Sequence, residues 1–379
     1  IKDILIGDVW LCSGQSNMQW VVNNVTNAEV EKKNANYSQI RTLNIPRRME
    51  LSPKDTISTT WLVCSPETVG RFSGVAYFFA RKVYEETNIP IGIINSSWGG
   101  TIVETWTSLE AANTLPQKRL DRYNKNEKLS PPTEYFTRTN KEAKRNDYPS
   151  LVYNAMIHPL LSFAIKGVVW YQGENNVGNA EPYTDWLTCM ISDWRNRWNS
   201  ELPFYIIQLP NFDSTNKTPL WAEIRDAQRK VLTVPKTHLI VTSDLGDPHD
   251  LHPRNKQEVG MRVALQVLHH EYGRPDIVSE SPMFERMEIN GDKIIITFKN
   301  TGSGLEIRSR YGCLQGFTIA GEDKKFYWAQ GELKDNRIVI WNPKVPNPIA
   351  VRYNWENNPD GNLYNKDGLP ACLFRTDNW

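Results

Sequence analysis

A serine, an aspartate–histidine pair and two glycine-containing turns stand in this chain where a nucleophile, its base and a set of N–H donors would be wanted. Val9-Trp10-Leu11-Cys12-Ser13-Gly14-Gln15-Ser16-Asn17-Met18 begins as an apolar run, preceded by Ile4, Leu5 and Ile6, and breaks at Ser13-Gly14. Such a run reads as a buried strand, and the residues from Asn17 to about Val22 can open a helix. Ser16 then sits on a strand-to-helix turn with its hydroxyl at the open edge of a sheet, a placement suited to a nucleophile. The turn lacks the usual G-x-S-x-G form, since Asn17-Met18 replace x-G, and a serine there is also a good helix N-cap.

The second element of the pattern comes late. Asp244-Leu245-Gly246-Asp247-Pro248-His249-Asp250-Leu251-His252-Pro253 follows the apolar run His238 to Thr242 and precedes a helical stretch from about Asn255 to Tyr272. An acid and an imidazole therefore share one loop after a late strand. A serine early and an Asp/His pair late in an alternating α/β chain is the set that nucleophilic catalysis needs. A different chemistry is open to the same loop, because Asp244, Asp247, His249, Asp250 and His252 form a cluster of hard ligands that would suit a metal. That alternative leaves the Gly14-Gln15-Ser16-Asn17 block unused.

Two further segments end strands: Asn95-Ser96-Ser97-Trp98-Gly99-Gly100-Thr101 after Ile91 to Ile94, and Val168-Val169-Trp170-Tyr171-Gln172-Gly173-Glu174-Asn175. With Gly14-Gln15-Ser16-Asn17 and Asp250-Leu251-His252-Pro253, they resemble the four blocks of the SGNH hydrolases, and more narrowly the sialate O-acetylesterase branch and its acetylxylan-esterase relatives. The likeness extends through Tyr153-Asn154-Ala155-Met156-Ile157-His158-Pro159-Leu160 and the closing Asn362 to Pro370. The chain departs from the wider pattern in two places. Gln172 stands where the superfamily carries Asn, and His249 stands three residues before His252, where Asp-x-x-His would put the acid.

The resemblance implies a flavodoxin-like, three-layer α/β fold with a smaller β-rich module, and hydrolysis of an acetyl ester on a sugar through an acyl-serine intermediate. Sialic acid is the expected carbohydrate, with acetylated xylan or another glycan as the alternative. Ser16 is the implied nucleophile and His252 the base. Asp250 is the favoured orienting acid, with Asp247 and Asp244 as alternatives. The implied oxyanion donors are the N–H of Ser16, an N–H of Gly99 or Gly100, and the Gln172 amide; glycine suits this role because no Cβ blocks the main chain. Glu174 and Asn175 are candidates for holding substrate, and Arg225 is a weaker candidate for a substrate carboxylate. No metal or other cofactor is expected.

Composition is consistent with such a protein. The chain has 379 residues and 40% hydrophobic content, enough for a large domain with a core plus something smaller. Its 44 basic and 43 acidic residues nearly cancel, so no field attracts nucleic acid or an anionic membrane. Of the 14 Trp and 15 Tyr, most must be core, although aromatic faces also stack on sugars. The five cysteines show no C-x-x-C spacing, which argues against a zinc site or a disulfide framework. No stretch has the length of a membrane span and no leader is visible ahead of the first strand. Members of the resembled branch often carry an N-terminal β-domain and an export signal, so export is what the resemblance implies.

From Ile4 to about Tyr272 strands and helices alternate, which predicts a parallel sheet with helices on both faces over residues 1–273. Val75, Phe78, Phe79 and Val83 make one helical face; Tyr183, Trp186, Leu187, Met190, Ile191 and Trp194 make another. Beyond Arg274-Pro275, short strands separated by Asn290-Gly291-Asp292, Ala320-Gly321-Glu322-Asp323 and Lys334-Asp335-Asn336 predict a module of hairpins over 274–379. The polar segment 113–150 reads as a surface excursion, either a lid or partner contact or a solvated connector.

Overall fold

The computed structural model describes residues 3–132, 148–213 and 218–379. Its largest sheet has seven strands: β1 (Asp8–Gly14), β2 (Tyr37–Asn44), β3 (Trp61–Cys64), β4 (Ile91–Ser97), β5 (Gly167–Tyr171), β6 (Phe204–Ile207) and β7 (Thr237–Ile240). Their order across the sheet is β3-β2-β4-β1-β5-β6-β7. The pairs β2/β4, β4/β1, β1/β5 and β5/β6 are parallel, and β3 at the edge runs antiparallel to its neighbour β2. Trp10, Leu11, Cys12 and Ser13 are all fully buried although successive strand residues point to opposite faces. Both faces of the sheet are therefore covered, as a parallel sheet requires.

Strand order explains where a site can form. On one side of β1 the chain lays down β2 and β3 and then returns to place β4 next to β1; on the other side β5, β6 and β7 follow in order. The reversal lies beside β1, and crevices in open parallel sheets form at the carboxyl ends of strands flanking such a reversal. The three motifs that follow β1, β4 and β5 thus emerge from adjacent strands.

The helical periodicities correspond to real faces. In the helix Gly74–Thr87, Val75, Phe78, Phe79 and Val83 are buried; Ser73 caps its start by accepting the Ala76 N–H, and Asn88 ends it in the left-handed conformation. In the helix Ala180–Trp198, the six spaced apolar residues from Tyr183 to Trp194 are buried. Trp106, Trp170 and Trp194 pack edge to face, 5.8 and 5.9 Å between ring centroids, so these tryptophans belong to the core.

The chain forms two compact units. The first comprises Ile1–Ile207, Ala227–Leu239 and Arg254–Leu268; the second comprises Gln208–Asp226, Ile240–Pro253 and His269–Trp379. Strands β8 (Met283–Asn290) and β9 (Lys293–Lys299) form the hairpin expected around Asn290-Gly291-Asp292, with Asn290 opposite Lys293. They continue into a four-stranded antiparallel sheet with the strands Arg337–Trp341 and Gln330–Lys334. A second such sheet joins Phe326–Trp328, Phe317–Ala320, Ala350–Tyr353 and Phe374–Arg375, and Leu305–Ile307 pairs with Leu363–Asn365. Ile294, Ile296, Ile338, Ile340, Phe317, Tyr353 and Phe374 fill the core of this unit. Of the segment 113–150, residues 133–147 lie outside the described residues. Among the described residues, no helix is long and apolar enough to cross a membrane.

Gly14 shows how tightly the strands are drawn together where β1 ends. It pairs in register with Ser97 on one side and Tyr171 on the other, at φ +132°, and a Cβ there would fall 2.1 Å from the Tyr171 carbonyl oxygen. Replacement has no cheap relief, because the obstacle is backbone in the next strand. Gly14→Ala is expected to cost more than about 3 kcal/mol of stability or to prevent folding, measured by denaturant unfolding monitored through tryptophan fluorescence.

Candidate active site

The carboxyl ends of β4, β1 and β5 are tied by main-chain hydrogen bonds. The Gln15 N–H donates to Tyr171 O at 2.9 Å and the Trp98 N–H to Gly14 O at 3.0 Å. These bonds fix the turn that carries Ser16. Ser16 opens the short helix Ser16–Gln19, so its N–H has no acceptor within that helix, and the residue is partly exposed. Gly99 abuts it: a Cβ on Gly99 would stand 3.1 Å from Ser16 Cβ and 3.5 Å from Ser16 Cα. The Gly99 N–H donates to Gln19 Oε1 at 2.8 Å. The first unit thus brings Ser16, Gly99, Gly100, Gln172, Glu174 and Asn175 to one edge of the sheet.

Gln172 occupies a position that the resemblance alone does not describe. It is fully buried, and its Nε2 faces Asn176 Oδ1 at 2.7 Å, Thr101 O at 3.0 Å and Gln15 Oε1 at 3.2 Å, while its Oε1 accepts the Tyr183 hydroxyl. An amide has two N–H bonds, and three acceptors already share them. In this arrangement Gln172 locks the turns after β1, β4 and β5 to one another. Gln15 Oε1 also accepts from the Gly173 and Asn175 N–H groups, and Asn176 Nδ2 donates to Glu104, whose carboxyl is pushed above the usual range by burial. Asn175 is exposed, and its Nδ2 donates to Gly100 O at 2.7 Å.

Beneath Ser16 runs a charged thread that no sequence motif marks. Asn17, fully buried, donates from Nδ2 to Glu174 Oε1 at 2.5 Å and accepts from Lys256 Nζ at 2.5 Å. Lys256 is itself fully buried, with Nζ 5.5 Å from the Tyr171 ring centroid. Burial raises the Glu174 carboxyl above its ordinary range, while the Asn17 hydrogen bond and the Lys256 charge pull it back. Glu174 Oε2 is buried and has no hydrogen-bond partner among the described residues. Glu174 therefore braces the turn that carries Ser16. Its signal in the sequence was slight: Lys256 falls on the apolar stripe of its helix with Val259, Gly260, Val263 and Val267, where a cation needs a partner.

The acid–histidine loop belongs to the second unit. Asp250 Oδ1 accepts the His252 main-chain N–H at 2.8 Å, and Asp247 Oδ1 accepts that of His249 at 2.8 Å, so both aspartates form turns over the histidine that follows two residues later. Asp244 Oδ2 accepts the Tyr364 hydroxyl at 3.2 Å, the Gly246 N–H donates to Asn211 Oδ1, and the Asp213 N–H donates to Pro248 O. Among the described residues, no three of Asp244, Asp247, His249, Asp250 and His252 bring ligand atoms within 4.8 Å of one another, so this loop does not present the metal cluster that its composition allowed. Arg225 is wholly buried, donates to Trp221 O and Glu356 O, and is drawn down to about 9 by burial. It anchors the second unit internally, with its Nη1 buried and without a hydrogen-bond partner among the described residues.

A family model described as carbohydrate esterase, sialic acid-specific acetylesterase, matches residues 6–269. A sialate O-acetylesterase of Pongo abelii is 33% identical over 325 residues, covering 77% of this chain and 59% of that protein. A sialate O-acetylesterase of Mus musculus is 29% identical over 405 aligned positions, covering 95% and 74%. A carbohydrate acetylesterase from Xanthomonas citri, known from its crystal structure, superimposes with a TM-score of 0.88 at 37% identity, covering 100% of this chain and 82% of that one. The chain spans about three fifths of the length of the first of these relatives.

The Lys256–Asn17–Glu174 thread can be tested by charge removal. Lys256→Met leaves a buried carboxyl without its compensating cation and is expected to cost about 3 kcal/mol. Adding Glu174→Gln removes the uncompensated charge and should restore part of that loss. Denaturant unfolding of wild type, both single variants and the double variant gives the coupling, and strict additivity would show that the two charges do not interact.

Proposed function

The chain belongs to the carbohydrate esterase family of sialic acid-specific acetylesterases, and on that premise we propose that it removes O-acetyl groups from carbohydrate, with O-acetylated sialic acid as substrate. The observation that carries the reading is the seating of Gly99 against Ser16, which sets a main-chain donor beside a serine on the turn after β1. Ser16 Oγ attacks the acetyl carbonyl and its proton passes to His252; as the ester C–O bond breaks, His252 gives that proton to the departing sugar oxygen, which leaves as the hydroxyl. Water, deprotonated by His252, then releases acetate from the acyl-serine. Each half-reaction passes through a tetrahedral oxyanion, and each donor aimed at it is worth about 3 kcal/mol in comparable sites.

The N–H groups of Ser16 and of Gly99 or Gly100 are the donors in this scheme. Gln172 enters it indirectly, by holding Gln15, Thr101 and Asn176 in place. His252 is assigned from its sequence block. Asp250 is assigned as its orienting acid: one carboxylate oxygen fixes the His252 main chain, and the other is given to the imidazole. Asn175, exposed at the same edge, is the proposed contact for the sugar. Export from the cell is inferred from the resemblance to exported members of the branch.

Ser16→Ala should abolish acetate release, with His252→Ala nearly as severe, because members of a catalytic unit fail together. A serine-directed organophosphonate should label Ser16, and dialysis against a strong chelator should leave hydrolysis of an aryl acetate unchanged, since the donors are N–H groups. Acetate released from 9-O-acetylated sialic acid and from acetylated xylo-oligosaccharides, measured side by side, decides the substrate. A folded Ser16→Ala protein that keeps more than a few per cent of activity would overturn the serine mechanism.

A further inference from the structure

The donor that the proposed reaction needs at Gly99 is already engaged. Gln19 Oε1 accepts the Gly99 N–H at 2.8 Å, and the missing Gly99 Cβ would lie 3.3 Å from that oxygen and 3.1 Å from Ser16 Cβ. An amide oxygen and the carbonyl oxygen of an acetyl ester are the same kind of acceptor. One N–H bond makes one good hydrogen bond, with geometry that weakens steeply off axis. Gln19 and a substrate carbonyl therefore compete for a single seat.

The backbone of Gln19 cannot relieve that competition, because its N–H is bonded to Gln15 O at 2.9 Å and its carbonyl lies in the turn that ends in Trp20. The side chain can, since it is partly exposed and unbranched, with staggered alternatives to reach. We propose that Gln19 is a gating residue of the hydrolytic site, its carboxamide oxygen occupying the acyl-oxygen seat on Gly99 until an acetyl carbonyl displaces it. This rests on the reading of Gly99 as an oxyanion donor beside a nucleophilic Ser16. The neutral amide is a weak enough competitor to be displaced by an ester and is easily outmatched by an oxyanion, to which hydrogen bonds are about twice as strong.

The proposal is tested with two substitutions that remove the acceptor, Gln19→Ala and the near-isosteric Gln19→Met, and one that strengthens it, Gln19→Glu. Relative to wild type, both acceptor-free variants should raise kcat/KM for 4-nitrophenyl acetate, by about three- to tenfold, the worth of one neutral hydrogen bond. Gln19→Glu should be slower than wild type near neutral pH, because a carboxylate holds the N–H more firmly and repels the oxyanion. Its activity relative to wild type should recover as pH falls through the ordinary carboxyl range, about 4 to 5. An unchanged or lower kcat/KM in folded Gln19→Met overturns the gate and makes Gln19 a tether that builds the Gly99 turn. Organophosphonate labelling of Ser16 in each variant separates the two failures. If Ser16 is labelled and the gain is missing, the gate alone is wrong; if Ser16 is never labelled, the underlying catalytic reading fails.

Discussion

Everything at the carboxyl edge of the central sheet depends on how closely β4, β1 and β5 approach one another at Gly14. With no side chain there, the Tyr171 carbonyl comes close enough to accept the Gln15 N–H, while the Gly14 carbonyl accepts from Trp98 on the other side. Three turns far apart in sequence are thereby tied to one another by main-chain bonds, which the side chain of Gln172 reinforces. Side chains set on such a frame keep their separations without relying on flexible contacts, which is the condition for preorganised donors.

The frame leaves many polar groups in a dry place, and the structure answers with shared hydrogen bonds. Gln15, Gln172, Asn176 and Glu104 form one connected set, and Lys256, Asn17 and Glu174 form a second. In a low dielectric, such sets rigidify when complete and are costly when broken. Glutamine at position 172 makes sense in these terms. Its longer side chain reaches Thr101, Asn176 and Gln15 together, which joins the three turns. Glu174 follows the same logic: a carboxyl two residues from Gln172 points at Asn17 and supports the serine turn from below.

The second unit handles its loop differently. Asp247 and Asp250 accept the main-chain N–H groups of the histidines two residues later, which fixes the course of the loop and spends one oxygen of each of these carboxylates on local structure. Asn211, Asp213 and Tyr364 hold the same loop from elsewhere in that unit. A cluster that looks ready for a metal in one dimension is in three dimensions a set of turns.

The sequence by itself determined the α/β class, the helices Gly74–Thr87 and Ala180–Trp198, the hairpin at Asn290-Gly291-Asp292 and the turn bearing Ser16. These follow from local causes: apolar periods of two or 3.6 residues, caps, and glycine at turns. The blocks at Gly99-Gly100 and Gln172 were legible as strand endings for the same reason. Only tertiary structure decided what those blocks touch. The bond from Lys256 to Asn17 joins residues 239 apart and that from Gln172 to Gln15 joins residues 157 apart, and no local pattern encodes such pairings. Nor could periodicity reveal that Arg225 is sealed in the second unit, or that Gln19 covers the Gly99 N–H. Hydrogen-bond donors in a buried site are assigned by the whole set of acceptors within reach, and that set exists only once the strands have been brought together.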